Sequence, residues 1–417
     1  MEAVVLAAGK GTRMCTDLPK VLHTVFGKPV LGYVLDALRK TGIRKIWVVT
    51  GYQAESVKRF LKGYGVQTVN QFEQKGTGHA LRVAKTALKN ARGPILVWPG
   101  DMPLVEGATL RRLIESHEKS KSHASVLSSI VDCPAGYGRI VREDGKFVAI
   151  REELDATDEE RLIREVNTGI YLFDKKALFD ALGKIGCKNK KGEYYLTDTI
   201  GVLREEGYKL EAFPFATQDE GHGINSQKDL AEATEKINQR EILRHMERGV
   251  TFVSPAQTFV APGSTIGQGT IINPWCWIEQ GVTVGKNCKI GPFAKLRSGT
   301  KVGDDTEIGS FVEVNRSIIG KGVCAKHLTY LGDSNIGDNV NVGAGVITAN
   351  FDGKNKHPTR VGKNVFLGSN TVLVAPVHVP TCVKTGAGAV VTRKTRMRKN
   401  DIVVGVPAKS VSQKKRR

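Results

Sequence analysis

The chain has 417 residues, 40% of them apolar and 25% charged, which is enough apolar material for two or three packed domains and excludes a disordered chain. No stretch approaches the ~18 consecutive apolar residues of a membrane span, and the opening MEAVVLAAGKGTRM lacks a basic leader with a long apolar core. The net charge of +20 is read as dispersed, with dense basic runs only at 188–191 and 414–417; with 6% aromatics this favours anionic small substrates over nucleic acid.

In chain order, residues 3–7 read as a buried strand that runs into Gly9-Lys10-Gly11-Thr12-Arg13-Met14, with Lys20 shortly after. A Gly-rich turn after a strand lets backbone N–H groups approach phosphates, and Lys and Arg add charge. The spacing is neither a Walker A loop nor a dinucleotide fingerprint. A helix at 30–39, a strand at 45–49, a helix at 53–62, a strand at 95–98 and a helix at 108–117 follow. That alternation predicts an α/β doubly wound, Rossmann-like domain with a mostly parallel sheet. Ligands of such sheets sit beyond the carboxyl ends of the strands, where Gly9, Arg13 and Asp101 fall.

Residues 226–248 carry Leu230, Ala233, Ile237, Ile242 and Met246 at helical spacing, with Ser226 as N-cap and Gly249 as stop, and read as a linker helix. From Val260 a branched aliphatic residue recurs every six positions: Ile266, Ile272, Ile278, Val284, Ile290, Leu296, Val302, Ile308 and Val314. After phase slips the beat resumes at Ile319, Leu331, Ile336 and Val342, and beyond a loop at Val361, Leu367, Leu373 and Val379. A period of six is too short for a helical repeat and predicts a β-solenoid with three short strands per coil. The clearest break, 348–360, is a turn-rich, charged insertion suited to forming a site. The expected boundaries are 1–225, 226–250 and 251–417, the last ending in a short basic tail. Seven scattered cysteines without a CxxC pair are expected to be reduced thiols of a cytoplasmic protein.

Several motifs, taken in order, resemble the sugar-1-phosphate nucleotidylyltransferases: LAAGKGTRM; Asp17-Leu18-Pro19-Lys20; Gln71 with Gly76-Thr77-Gly78; and Gly100-Asp101-Met102-Pro103-Leu104. Gly136-Tyr137-Gly138-Arg139, Glu152, Asn167-Thr168-Gly169 and Gly223-Ile224-Asn225 continue the match. Joined to hexapeptide repeats, the chain resembles the bacterial bifunctional N-acetylglucosamine-1-phosphate uridyltransferase/glucosamine-1-phosphate N-acetyltransferases. The resemblance covers nearly the whole chain and implies a left-handed parallel β-helix, against the usual crossover hand.

It also implies roles. Arg13 and Lys20 supply cations to UTP, and Leu6, Ala8, Gly9, Gln71, Gly76 and Thr77 surround the nucleotide. Gly138, Glu152 and Asn167 bind the sugar, while Asp101 and Asn225 hold Mg2+ through oxygen donors. In the second half His327 is the expected base for acetyl transfer, a task an imidazole can perform near neutral pH. Arg297, Tyr330, Asn341 and Lys356 match acceptor-sugar positions, and Ala344, Asn350, Ser369 and Ala387 match acetyl-CoA positions. A homotrimer with coenzyme A between neighbouring subunits follows, with small-molecule substrates and neither nucleic acid nor membrane insertion. The chain departs from the family pattern at two places. Asn315, followed by Arg316, stands where a lysine usually grips the sugar phosphate, and Gly405 stands where some relatives have an arginine near coenzyme A. Asn315 brings no charge, so affinity for glucosamine-1-phosphate is expected to fall unless Arg316 reaches over. Three other readings are open: a uridyltransferase with the solenoid as scaffold, a pyrophosphorylase for another sugar or nucleotide, and a nucleotide-sugar-binding regulatory subunit.

Overall fold

The computed structural model describes residues 1–411, in two compact units, Met1–Lys236 and Ile237–Arg417; the basic tail expected at 414–417 lies outside the described residues.

In the first unit the strand Glu2–Ala7 lies at the heart of a nine-stranded sheet, paired in parallel with Ile46–Thr50 on one side and Ile95–Pro99 on the other. Ala3, Val4 and Val5 are fully buried, because helices cover both faces, and a strand so placed needs an unbroken apolar run. One such cover is the helix Val30–Lys40. It buries Val30, Leu31, Val34, Leu35 and Leu38 at helical spacing and stops at Gly42, whose φ of 85° suits a left-handed exit. The strand Glu165–Phe173 runs antiparallel to both its neighbours, Ile95–Pro99 and Ala124–Ile130, and carries the hairpin Arg139–Glu143 and Lys146–Arg151. The expected order of strands and helices is therefore observed, each bound within a few residues. Several later elements, including this hairpin and the reversed strand, had no counterpart in the sequence reading.

The second unit is a coil of short strands stacked into three sheets, the strands pairing in parallel with those three later until the end, where Lys409–Ser410 runs antiparallel to Ile402–Val404. Every aliphatic residue of the six-residue beat from Val260 to Val379 is buried. The period of six is thus one face of the prism per unit, with the aliphatic side chain inside. Three columns of left-handed residues make the corners. One column runs Trp275, Phe293, Phe311, Leu328, Gly345, Asn370 and Gly388, with φ between 49° and 74°. Its aromatic members stack, Phe293 on Phe311 at 5.0 Å between ring centroids with planes 3° apart. Bulky side chains are costly at such φ values, and the stacking partly offsets that cost.

The charge departs from the expected dispersion. Residues 353–411 hold eleven Lys and Arg against the single acid Asp401, so ten of the twenty net charges lie in the last part of the solenoid. The dense run is Arg393-Lys394-Thr395-Arg396-Met397-Arg398-Lys399, which the sequence reading passed over.

Candidate active sites

The first site forms where the strands of the parallel core end. Ala8 and Gly9 follow one strand, Gly51 the next and Gly100-Asp101 a third; Gly100 N–H donates to Leu6 O at 2.8 Å and Tyr52 N–H to Ala8 O at 3.0 Å. A Cβ on Gly51 would lie 2.7 Å from Ala8 O, so these loops close on each other only because Gly51 has no side chain. They border a cleft of about 460 Å³ lined by the expected Leu6, Ala8, Gly9, Arg13, Lys20, Gln71, Gly76, Thr77, Asp101 and Asn225.

Lys20 ties three remote segments together. Its ammonium donates to Asp101 Oδ2 and, at 3.0 Å, to Asn225 Oδ1. Gly11 makes room for it, because a Cβ there would sit 2.6 Å from Lys20 Cβ and the local φ is 66°. Asn225 is held by Asp229, whose Oδ2 accepts from the Asn225 and Ser226 amides at 2.8 and 2.9 Å. Gln71 is buried and donates to Gly76 O at 3.2 Å, with His79 Nδ1 at 3.0 Å. Arg13 is exposed at the rim. Gln74 and Glu193 also line the cleft, and the sequence reading gave them no role. Glu193 directly precedes the Tyr194-Tyr195 pair, the one cue available.

Gly138, Glu152 and Asn167 form an adjoining group rather than part of that lining. A bulge between Asn167 and Ile170 turns the strand, and the Asn167 amide donates to Gly138 O at 2.8 Å. Burial pushes the Glu152 carboxyl up, partly opposed by the Thr197 hydroxyl donating at 3.0 Å and by Lys191; Glu193, which lines the cleft, also acts on it.

The second set of residues lies on the solenoid. His327 ends the strand Cys324–His327, just before Leu328 of the corner column, and its side chain is exposed. Each coil repeats one bond. Leu328 N–H donates to Ser310 O, Gly345 N–H to His327 O, Asn370 N–H to Ala344 O and Gly388 N–H to Ser369 O, at 3.0, 3.4, 2.7 and 2.8 Å. His327, Ala344, Ser369 and Ala387 therefore line one edge in order, each directly preceding its corner residue. Asn341 shares the sheet of His327, pairing with Cys324.

Arg297 and Lys356 belong to another corner, that of Gly299, Arg316 and Asp333. Arg297 donates to Glu313 at 3.1 Å, and Glu313 is the register partner of Tyr330. Arg316 grips Asp333 with two bonds, Nε to Oδ1 at 2.7 Å and Nη2 to Oδ2 at 2.8 Å, and its Nη1 donates to Asn315 Oδ1 at 3.0 Å. Asn350 Nδ2 donates to Asp333 as well. The Arg316 guanidinium, with the Asn350 bond, holds the Asp333 carboxyl below the usual carboxylate range, and Lys356 adds to that shift. Arg316 is thus already committed to Asp333, and Asn315 is buried. The 350–358 insertion leaves from this same corner and is braced by Asp352, which accepts from the Lys354 and Asn355 amides at 2.8 and 2.7 Å and pairs with His357 at 2.7 Å. One chain so divides the residues expected for acetyl transfer between two corners.

Comparison with known proteins agrees with both halves. Residues 3–166 match the MobA-like NTP transferase domain, residues 281–316 the bacterial transferase hexapeptide (six repeats) and residues 358–393 the hexapeptide repeat of succinyl-transferase. The prism is the left-handed parallel β-helix of that repeat class. The bifunctional protein GlmU of Clostridium beijerinckii is 41% identical, with 94% of each chain covered. That of Syntrophotalea carbinolica is 42% identical over 94% of this chain and 92% of its own. That of Lactococcus lactis subsp. lactis is 40% identical with the same coverage. Among the described residues no helix is long and apolar enough to cross a membrane. The chain belongs to the GlmU family of bifunctional enzymes and joins an N-acetylglucosamine-1-phosphate uridyltransferase to a glucosamine-1-phosphate N-acetyltransferase.

Proposed function

We propose that uridylyl transfer takes place in the cleft around Lys20 and acetyl transfer along the His327 edge, with the product of the second serving as substrate of the first. The observation that carries the first assignment is the convergence of Asp101 Oδ2 and Asn225 Oδ1 on one ammonium. Two oxygen donors around a cation fit Mg2+, an ion that keeps several waters and takes further oxygens from phosphates. Among the described residues no three His, Cys, Asp or Glu side chains converge, in keeping with so sparse a protein ligand set. When bound, Mg2+ supplies neutralisation of charge on the nucleotide phosphates.

A phosphate oxygen of N-acetylglucosamine-1-phosphate attacks the α-phosphorus of UTP, and the bond to pyrophosphate breaks. Arg13 and Lys20 bring the two polyanions together and balance the charge that builds on the leaving group. Gln71 carries both a donor and an acceptor for reading uracil. Leu6, Ala8, Gly9, Gly76 and Thr77 shape the nucleotide pocket, and Gly138, Glu152 and Asn167 hold the sugar.

In acetyl transfer the sugar amine attacks the thioester carbonyl, His327 takes the amine proton, and coenzyme A leaves as the thiolate. Ala344, Asn350, Ser369 and Ala387 border the thioester and coenzyme A; Arg297, Tyr330, Asn341 and Lys356 receive the sugar phosphate. The separation of Arg297 and Lys356 from the His327 edge supports a homotrimer in which one chain completes its neighbour's site. The exposed stack of Trp275, Phe293 and Phe311 gives such an assembly an apolar surface. A cytoplasmic location suits the unpaired cysteines and soluble substrates.

The test is mass spectrometry of products from glucosamine-1-phosphate, acetyl-CoA, UTP and Mg2+, beside a control started from N-acetylglucosamine-1-phosphate. UDP-N-acetylglucosamine in both is expected. Product only in the control would confine this chain to uridylyl transfer.

A further inference from the structure

The basic run between Arg393 and Lys399 has no part in the assignments above. It forms a loop between the strands Val390–Val391 and Ile402–Val404, outside the six-residue beat. Met397 packs on the solenoid core, while Arg396 and Arg398 on either side of it are exposed. The loop faces a concave surface lined by Lys394, Arg396, Arg398 and Lys409 together with Thr392 and Ser410. Among the described residues none of these four cations makes an ion pair. The nearby acid, Asp401, is buried and accepts from the Arg398 backbone amide at 3.0 Å. Four like charges in one concavity repel one another until an anion enters, and guanidinium pairs suit phosphate in particular.

The edge of Ala344, Ser369 and Ala387 leads to this groove. Val390 N–H donates to Gly405 O at 3.1 Å and Ala408 N–H to Val390 O at 2.8 Å, so the coil after Ala387 carries Pro407, Ala408 and Lys409 into the groove wall. Three coil steps of about 4.8 Å separate Ala344 from that coil, a span of about 14 Å. Gly405 itself brings no charge to this end.

We propose that the 392–400 loop and Lys409 grip the phosphate groups at the nucleotide end of coenzyme A, an inference that rests on reading Ala344, Ser369 and Ala387 as the coenzyme A edge. The thioester end lies toward His327. The diphosphate and 3′-phosphate lie in the basic groove, where concavity and continuity with the edge select a discrete phosphorylated ligand over a flat anionic surface.

The experiment uses the full-length protein and three acetyl donors: acetyl-CoA, 3′-dephospho-acetyl-CoA and S-acetylpantetheine. A variant carrying Lys394→Ala, Arg396→Ala, Arg398→Ala and Lys409→Ala changes only exposed side chains, and its thermal unfolding beside the wild type reports an intact solenoid. The wild type should favour acetyl-CoA over S-acetylpantetheine. The variant should lose roughly 10- to 100-fold in kcat/KM for acetyl-CoA, mostly through KM, while S-acetylpantetheine turnover stays unchanged. Equal use of all three donors by the wild type, or an equal loss with all three in the variant, would overturn the proposal. Ala387→Trp separates the underlying reading: it should impair all three donors, and unchanged turnover would remove the edge and with it the route to the groove.

Discussion

The amide of Gly388 donates to the carbonyl of Ser369 at 2.8 Å, and the same bond joins Asn370 to Ala344 one coil earlier. Stacked coils thereby turn residues 25 and then 18 positions apart in sequence, Ala344, Ser369 and Ala387, into neighbours along one edge. Small side chains there leave the edge open to a long ligand. Ser369 is exposed, so Ser369→Phe should fold normally yet raise KM for acetyl-CoA about tenfold or more, with pyrophosphate release from UTP unaltered. Steady-state kinetics of both reactions check this.

Asp101 and His327 belong to different compact units, and their substitutions should act on different reactions. Asp101→Ala removes one of the two oxygens that meet Lys20 and should lower pyrophosphate release on the order of 10²-fold, leaving acetyl transfer intact. His327→Ala should do the reverse, with a loss on the order of 10²-fold or more. If either change abolished both activities in folded protein, separate sites would be ruled out.

Asn315 is buried with its carbonyl oxygen taken by Arg316, and Arg316 is bound twice to Asp333. The expected compensation by Arg316 therefore meets an obstacle, because moving it would leave the Asp333 carboxylate only the Asn350 amide. Asn315→Lys should lower KM for glucosamine-1-phosphate about tenfold while kcat for acetyl transfer changes little. A KM that stays constant would mean that phosphate is gripped elsewhere, for instance by Arg297 and Lys356.

Gly309 lies in the strand Glu307–Ser310, beside the strand that ends at His327. A Cβ there would stand 2.1 Å from Lys326 O, a backbone atom that cannot move without shifting the coil. Gly309→Ala should destabilise the solenoid by about 2–4 kcal/mol and depress acetyl transfer, readable as a lower Tm and a lower kcat.

His245 is 1% exposed, and neither ring nitrogen has a hydrogen-bond partner. Burial, with Arg244 and Arg248 nearby, pushes its pKa down to about 4. In the unfolded chain it titrates near ~6.5, so between these values the unfolded state binds more protons. Stability is unaffected by this group above pH ~6.5, falls as pH drops through that window and levels off below the folded value, a loss of about 3 kcal/mol. Urea unfolding at pH 7.5 and pH 5 should show the drop, and His245→Leu should flatten it. A pH dependence that survives His245→Leu would assign it to other groups.

The two halves of the chain differ in how far the sequence makes them legible. The solenoid was legible almost residue by residue, since a coil of three six-residue faces sends each aliphatic residue inward wherever it falls in the beat. Most of the alternation of strands and helices up to about residue 117 was legible for the same reason, namely that buried parallel strands are continuously apolar; the edge strand Gln67–Asn70, short and partly exposed, and the helix Thr77–Ala84 after it were not. The reversed strand Glu165–Phe173 and its hairpin were not, because their pairing is long-range and their apolar pattern alone does not give direction.

The sites divide in the same way. Gly9, Lys20, Asp101 and Asn225 were recognisable as motif members, but their meeting depends on loops that follow separate strands, up to 205 positions apart in the Lys20–Asn225 bond. The engagement of Arg316 by Asp333, 17 positions later, is likewise set by coil length, which brings one corner directly onto the next. Composition settles which side chains are available, and the six-residue repeat settles which of those in the solenoid are buried. Which charges are already paired, as in Arg316 with Asp333, and which stand without an ion pair, as in the groove of Arg396 and Arg398, depends on distances that folding alone creates.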